Sequence, residues 1–391
     1  MKQVSERSIN VASIRVMFAG GGTGGHLFPA IAIADEIKKI EPNAKVLFIG
    51  TKNKIEARIV PQNGYAFQTI WISGFHRRFR ISNLLFPLKV IVSIMQARSI
   101  IKEFQPHVVV GTGGYVSGPV LRAAIMKGVP TLIQEQNNFP GVTTRMLAGK
   151  VNEVHLAYER SKKYFKRTDN VFISGNPTRI NLEQPSKGEA LEYFGFDSKE
   201  EKRVLLVFGG SLGAHTINTA IMDNLDQLLQ NKVRIIWQTG VEDFAEADRL
   251  SRKYSSRDIS VKIFIDRMDY AYAACDLVVC RAGATTIAEF TLLGKPAILV
   301  PYPHAAANHQ MENAQMLSQH GAAELVSDDQ VSEKLLSTVL SLFNNEKLHN
   351  MSEKSKTLGC PTAARNLALR VIQLANGKNY SMSYAGSSHT T

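Results

Sequence analysis

The sequence is poor in cysteine: Cys275, Cys280 and Cys360 are the three in 391 residues, with no Cys-x-x-Cys pair. Such a set argues against a disulfide scaffold and a thiolate zinc site and fits a reducing compartment. Long apolar runs are missing too. No uncharged apolar stretch reaches the ~18 residues that a membrane-crossing helix needs. The start, MKQVSERSINVASIRV, carries charge where a secretory signal has its apolar core, so export is not expected. There is no Asp-x-Asp, the paired carboxylates with which many sugar transferases hold a magnesium-bound diphosphate. Acidic residues are scarce in the first half. Residues 1–170 hold 24 Lys and Arg against 10 Asp and Glu, a balance of +14 in a chain of net charge +12, and the rest balances at −2. A basic half of this kind attracts nucleic acid or anionic lipid headgroups. With no helix-turn-helix signal and no RNP-like aromatic motif, no nucleic-acid partner is expected.

What is present is a repeated alternation. IRVMFAG (14–20), AKVLFIG (44–50), HVVVGTGG (107–114) and PTLIQEQN (130–137) read as buried strands, and PAIAIADEIKKI (29–40) as a helix. Strand then helix, repeated, predicts a parallel sheet covered on both faces. The pattern restarts at KRVLLVFGGSLGAHT (202–216), which echoes SIRVMFAGGGTGGHL (13–27). It continues through VRIIWQTG (233–240), VKIFID (261–266), CDLVVCRAG (275–283) and PAILVPYP (296–303). A chain of 391 residues also exceeds one ordinary core. The expected class is therefore α/β, with two Rossmann-like, doubly wound parallel-sheet domains facing across a cleft. The polar stretch 174–188, with two prolines, is the expected linker.

Three glycine-rich turns carry chemistry: Gly20–His26 (GGGTGGH), Gly111–Gly118 (GTGGYVSG) and Gly209–Ala214 (GGSLGA). Glycines between a strand and a helix let backbone N–H groups approach phosphate oxygens at the positive helix end. Gly20, Gly22 and Gly25 fit the spacing of a dinucleotide-binding turn. Yet the second strand ends in Thr51 and Lys52, where the ribose-binding acid belongs, and no Gly-Lys-Ser/Thr follows to make a Walker loop. Three such turns point instead to a site for more than one phosphorylated ligand. His26 is placed in the first turn of a helix, where the positive end favours the proton-accepting form of an imidazole. It serves either as a general base or as a polar cap of the turn.

In the second half, CRAGATTIAEFTLLGKP (280–296) opens a helix near Ala284 and places Glu289 in about its first turn. Glu289 has two roles open to it: closing a capping box with Thr286, or accepting the two hydroxyls of a ribose. His304, His309, Gln310 and Asn313 cluster at the carboxyl end of a strand, where α/β sheets bind ligands. The five-residue offset of the two histidines and the lack of a third nearby ligand argue against a metal there.

Together and in this order, GGGTGGHLFPA, VVVGTGGYVSGP, IQEQN, GNPTR, GGSLGA, CRAGATTIAE and HQMENA resemble the MurG family. These are the UDP-N-acetylglucosamine:undecaprenyl-diphospho-muramoylpentapeptide N-acetylglucosaminyltransferases of glycosyltransferase family 28. The likeness runs from about Arg15 to about Leu374. It implies the GT-B fold, with an N-terminal domain (1–177) on the lipid-acceptor and membrane side and a C-terminal domain (178–360) on the donor side. A helix (361–376) would pack back toward the first domain, followed by a polar tail (377–391). It also implies an inverting transferase that needs no metal or other cofactor. Such an enzyme moves GlcNAc from UDP-GlcNAc to the muramoyl 4-hydroxyl of lipid I, giving lipid II and UDP in peptidoglycan biosynthesis, and so serves cell shape and division.

Carried over motif by motif, Thr23, Gly24, Gly25 and Asn137 would face the donor sugar. Arg179 and Ser211 would belong to the donor site, Ser211 near the diphosphate, and Ile265 would meet uracil through its backbone. Ala284, Thr285, Thr286, Ile287, Ala288 and Glu289 would form the donor helix start, with Glu289 on the ribose and Gln310 on the GlcNAc hydroxyls. Gly113, Gly114 and Tyr115 resemble the acceptor side, and His26 is the candidate base or else a ligand of the lipid diphosphate. GGSLGA departs from the family in carrying Leu212 where Gln is frequent. The resemblance also gives the segment Arg77–Met95 a purpose. Arg77, Arg78, Arg80 and Lys89 beside Phe79, Leu84, Leu85 and Phe86 suit a peripheral protein on the anionic cytoplasmic leaflet of the bacterial inner membrane. The alternative is an ordinary buried helix over 88–101. A related glycolipid transferase, a UDP-sugar epimerase and a non-catalytic UDP-GlcNAc sensor are the competing functions.

Overall fold

A computed structural model describes residues 13–74, 85–179, 184–210, 213–305 and 308–377. Arg77, Arg78, Phe79, Arg80, Leu84, Ser211, Leu212 and the tail beyond Gly377 lie outside the described residues.

The strands of a seven-stranded sheet are β1 (Arg15–Gly20), β2 (Lys45–Gly50), β3 (Ala66–Thr69), β4 (Val108–Gly113), β5 (Thr131–Glu135), β6 (Glu153–Leu156) and β7 (Val171–Ile173). The helices along this stretch are α1 (Gly24–Ile40), α2 (Ile55–Gln62), α3 (Phe86–Phe104), α4 (Gly114–Met126) and α5 (Val142–Leu147). A six-stranded sheet follows, of β8 (Arg203–Phe208), β9 (Val233–Gln238), β10 (Ile259–Lys262), β11 (Leu277–Cys280), β12 (Ala297–Leu299) and β13 (Ala323–Leu325). With it come α6 (Lys187–Tyr193), α7 (His215–Asp223), α8 (Leu225–Gln230), α9 (Val241–Ser251), α10 (Met268–Ala274), α11 (Ala284–Leu292) and α12 (His309–Gln319). The last helices are α13 (Val331–Leu342), α14 (Asn345–Thr357) and α15 (Ala363–Ala375).

The central strands are apolar without alternation because both of their faces are covered. In β8 to β13 the two faces are legible residue by residue. Val204, Leu206 and Phe208 enter one core cluster, while Leu205 and Val207 enter the other. The sheet orders are β3-β2-β1-β4-β5-β6-β7 and β10-β9-β8-β11-β12-β13. β1 pairs in parallel with β2 and β4, as β8 does with β9 and β11. Each order reverses beside its first strand, and the crevice at such a reversal, off the carboxyl ends of the strands, is where doubly wound sheets bind ligands. The first two glycine turns follow β1 and β4; the third follows β8, and α11 follows β11. All four connections therefore border a reversal.

The chain forms two compact units. One takes the residues up to Gln134, Met146–Val154 and those from Arg365 on; the other takes Glu135–Arg145 and His155–Ala364. In the first, α15 buries Leu367, Ala368, Val371 and Ile372 in the core that holds Phe18, Ile31 and Phe48. Its buried Arg370 pairs with Glu153 on β6, Nε lying 2.8 Å from each carboxylate oxygen. α3 is not the wholly buried helix that the sequence left open. It buries Ser93, Ala97, Ile100 and Ile101 and leaves Leu88, Ile91 and Met95 exposed, beside an exposed Leu85 at its start. Among the described residues no helix is long and apolar enough to cross a membrane.

Candidate active site

In the first unit, the pairing of β1 with β4 slips where the strands end. Ala19 is opposite Gly111 and Gly20 opposite Gly113, so Thr112 is passed over. Such an irregularity re-aims the residue it skips. The Thr112 hydroxyl donates to the carbonyl of His26 (2.7 Å), and the Thr112 carbonyl lies 3.1 Å from His26 Nδ1. His26 is the third residue of α1, whose N-cap Thr23 makes no side-chain cap bond. Gly113 and Gly114, both at positive φ, bring the second turn against the imidazole: a Cβ on Gly113 would lie 2.6 Å from Nδ1. Tyr115 packs on Gly22, where a Cβ would lie 3.1 Å from its ring. Thr23, Gly24, Gly25 and His26 thus gather with Gly113, Gly114 and Tyr115 into one place.

An acid does stand at the end of β2, although not where spacing puts one. Glu56, the second residue of α2, is fully buried. Its carboxylate accepts from Thr51 N–H (3.0 Å), the Thr51 hydroxyl (2.8 Å) and Gly22 N–H (2.9 Å). The Gly22 N–H, which a dinucleotide site turns to a pyrophosphate, is thus occupied from within. Burial raises the Tyr115 phenol above its ordinary value, and the nearby Glu56 charge adds to the shift.

In the second unit, Glu135 is buried at the end of β5 and folds the EQN turn onto itself. It accepts from Asn137 N–H and Nδ2 (3.2 Å each), Gly141 N–H (3.0 Å) and the Thr144 hydroxyl (2.7 Å). Ile265 is buried just after β10, its N–H donating to Gln238 Oε1 (2.8 Å). Gln238 Nε2 in turn donates to the Gly210 carbonyl (2.9 Å) of the third turn. A base contact through the Ile265 backbone therefore rests on its carbonyl or on exchange of that bond. Gln310, in the first turn of α12, accepts from Tyr302 N–H (2.9 Å), and Arg179 is exposed.

The α11 start differs from expectation. Its N-cap is Gly283, without a side-chain cap, so Ala284, Thr285, Thr286 and Ile287 make the first turn and Ala288 and Glu289 enter the second. The Thr286–Glu289 capping box does not form, because Thr286 is already helical; a complete box forms instead at Ser186 and Glu189, opening α6. The Thr285 hydroxyl is buried with no hydrogen-bond partner. Glu289 is half-buried, bonded by the Tyr272 hydroxyl (3.1 Å), and desolvation pushes its carboxyl up to about 7 against the pull of that bond. Among the described residues no three His, Cys, Asp or Glu side chains are grouped to hold a metal ion.

Glu56, Thr51 and Gln238 escape motif reading. The signal for Glu56 is a pair of glycines, Gly21 and Gly50, whose missing Cβ atoms leave its slot.

Comparison with known proteins agrees with this layout. Residues 16–156 match the glycosyltransferase family 28 N-terminal domain and residues 204–367 its C-terminal domain. The UDP-N-acetylglucosamine–N-acetylmuramyl-(pentapeptide) pyrophosphoryl-undecaprenol N-acetylglucosamine transferase of Christiangramia forsetii is 43% identical, over 93% of this chain and 99% of its own. The enzyme of that name from Chlorobaculum parvum is 45% identical, over 93% and 100%. The crystal structure of Acinetobacter baumannii MurG superposes with a TM-score of 0.72 at 27% identity, covering 92% of this chain and 99% of that one. The two sheets are thus those of a GT-B glycosyltransferase, and the chain belongs to glycosyltransferase family 28, within the MurG family of N-acetylglucosamine transferases.

Proposed function

We propose that this chain moves GlcNAc from UDP-GlcNAc to the muramoyl 4-hydroxyl of undecaprenyl-diphospho-MurNAc-pentapeptide (lipid I), giving lipid II and UDP. The observation that carries the mechanism is the setting of His26. A carbonyl oxygen only accepts, so its contact with Nδ1 puts the ring hydrogen there and makes Nε2 the proton-accepting atom. Nε2 takes the acceptor hydroxyl's proton as that oxygen bonds to the anomeric carbon. The bond from that carbon to the β-phosphate oxygen breaks, UDP leaves with the electron pair, and the configuration inverts.

On the donor side, the uncapped start of α11 and the unpartnered Thr285 hydroxyl suit the leaving diphosphate. With no Asp-x-Asp in the chain, these donors and the third glycine turn take the charge, and the reaction needs no metal. Glu289 accepts from the ribose, Ile265 meets uracil, and Gln310 and Asn137 meet the sugar.

The protein works at the cytoplasmic face of the bacterial inner membrane. The exposed Leu85, Leu88, Ile91 and Met95 lie beside an exposed Trp71 and Lys89, whose ammonium sits 5.6 Å from the Trp71 ring centre. An apolar stripe with cations suits an anionic leaflet.

The test is UDP release from UDP-GlcNAc in EDTA, with and without a lipid I analogue. Release that requires the analogue and survives the chelator is the expected result; donor binding without release defeats the reading in favour of a sensor.

A further inference from the structure

We propose that Glu56 is a positioning residue for catalysis, fixing His26 and Tyr115 relative to each other; the inference rests on the reading of His26 as the base. Its carboxylate ties the first glycine turn to the end of β2. It accepts from Gly22 N–H in the first glycine turn and from Thr51 N–H and hydroxyl at the end of β2. Gly22 in turn packs against the Tyr115 ring of the second turn, where a Cβ would lie 3.1 Å from it.

The fit is tight on both sides of the side chain. A Cβ on Gly21 would lie 2.6 Å from the Glu56 carboxyl carbon, and one on Gly50 2.5 Å from its Cγ. Two glycines therefore form a slot that one carboxylate fills, and the slot sets the spacing of the first two turns after β1 and β2. The imidazole is gripped from the other side, by the Thr112 carbonyl and the Gly113 backbone. Where Nε2 stands thus depends on the first turn, which Glu56 holds, and on the second, which holds the ring.

A carboxylate suits this place better than an amide. Three donors meet two acceptor oxygens, and a buried charge is tolerated when it is fully hydrogen-bonded and lies at a helix start. Glutamine at the same place turns an NH2 against one of those donors, leaving it unpaired.

The experiment uses the full chain as Glu56→Gln. Calorimetry with UDP counts donor sites, which the second unit provides, and UDP release with a lipid I analogue gives turnover per site across pH. Turnover per site is expected to fall about 10²-fold, the scale of a ~1 Å misplacement, with a displaced pH profile and UDP affinity within about twofold. Should that variant yield no folded protein, Thr51→Val removes only the hydroxyl bond to Glu56. It is expected to lower turnover per site by about tenfold. Wild-type turnover per site in either variant overturns the proposal, as does a loss that matches missing UDP sites one for one. His26→Ala separates the two readings. If it turns over like wild type, the base assignment fails; if it is inactive while Glu56→Gln is unimpaired per site, the positioning role alone fails.

Discussion

Glu56 and Glu289 each lie in a helix that follows a central strand, one in each unit, yet their surroundings differ in kind. Glu56 is sealed from water and saturated by three donors, all from its own unit. Glu289 keeps some exposure, accepts from the Tyr272 phenol, and holds a carboxyl pushed up to about 7. A carboxylate with its partners built in shapes the backbone around it. One that is desolvated and underpaired is poised for donors that a ligand brings. The first unit thus spends its acid on the geometry of a base, and the second keeps its acid for recognition.

The sharpest way to break this comparison is to remove the base itself. His26→Ala should lower acceptor-dependent UDP release by about 10³-fold, within the range of general base catalysis. UDP affinity, measured by calorimetry, should stay unchanged, because the donor groups lie in the other unit. A fall in UDP affinity of the same size would erase the division of labour.

Glu289 should respond in the opposite sense. Glu289→Ala is expected to weaken UDP-GlcNAc binding by about 10- to 100-fold, the worth of hydrogen bonds to a charged group. pH gives a finer reading. The folded-state carboxyl is raised to about 7 from an ordinary 4.5. Its favourable contribution to stability is therefore complete below the ordinary carboxyl range and is lost as pH rises through about 7. Ribose hydroxyls need the ionised form, so donor affinity should rise over the same interval. Glu289→Gln should flatten both trends, in melting curves and in calorimetry from pH 5 to 8.

The exposed stripe of α3 bears on neither glutamate and should act on surface binding alone. Ile91→Asp with Met95→Asp is expected to weaken sedimentation with anionic vesicles about tenfold or more, since each buried aliphatic side chain is worth roughly 1.5–3 kcal/mol. UDP release with a water-soluble acceptor should be retained.

What the sequence discloses follows from how far apart the cooperating residues lie. The apolar strands and their glycine turns are local signals, and with the echo between 13–27 and 202–216 they disclose two doubly wound sheets and the turns that flank each reversal. β3, β6, β7 and β13 span only three or four residues and escape, whereas the equally short β11 and β12 are legible because they are both wholly apolar and wholly buried. VKIFID reads as a strand, yet β10 is Ile259–Lys262, and Phe264 is exposed beyond it. Spacing alone cannot say where a helix starts. Thr286 and Glu289 have the interval of a capping box inside a helix already under way, while the box that forms, at Ser186 and Glu189, straddles the end of the stretch that reads as linker. Glu56 is the extreme case. Only the parallel pairing of β1 with β2 brings its carboxylate onto Gly22, 34 residues earlier.

The smallest predicted effects sharpen the comparison most, because they separate glycines the fold needs from glycines a ligand needs. At Gly21 a Cβ would press within 2.6–2.9 Å of the Glu56 carboxyl atoms. Gly21→Ala should therefore destabilise by about 1–3 kcal/mol, as overpacking does. At Gly25, four residues on in the same turn, a Cβ would meet only the Thr23 hydroxyl, at 3.8 Å. Alanine there is free to adopt the helical backbone and should stabilise α1 by about 0.5–1 kcal/mol through lost unfolded-state entropy. If the open side of this turn faces the donor sugar, Gly25→Ala will melt later than wild type and turn over more slowly. Gly21→Ala will lose stability and turnover together. Equal turnover in wild type and Gly25→Ala would mean that the open side of the turn meets no ligand, and that the work of this turn ends with the placement of His26.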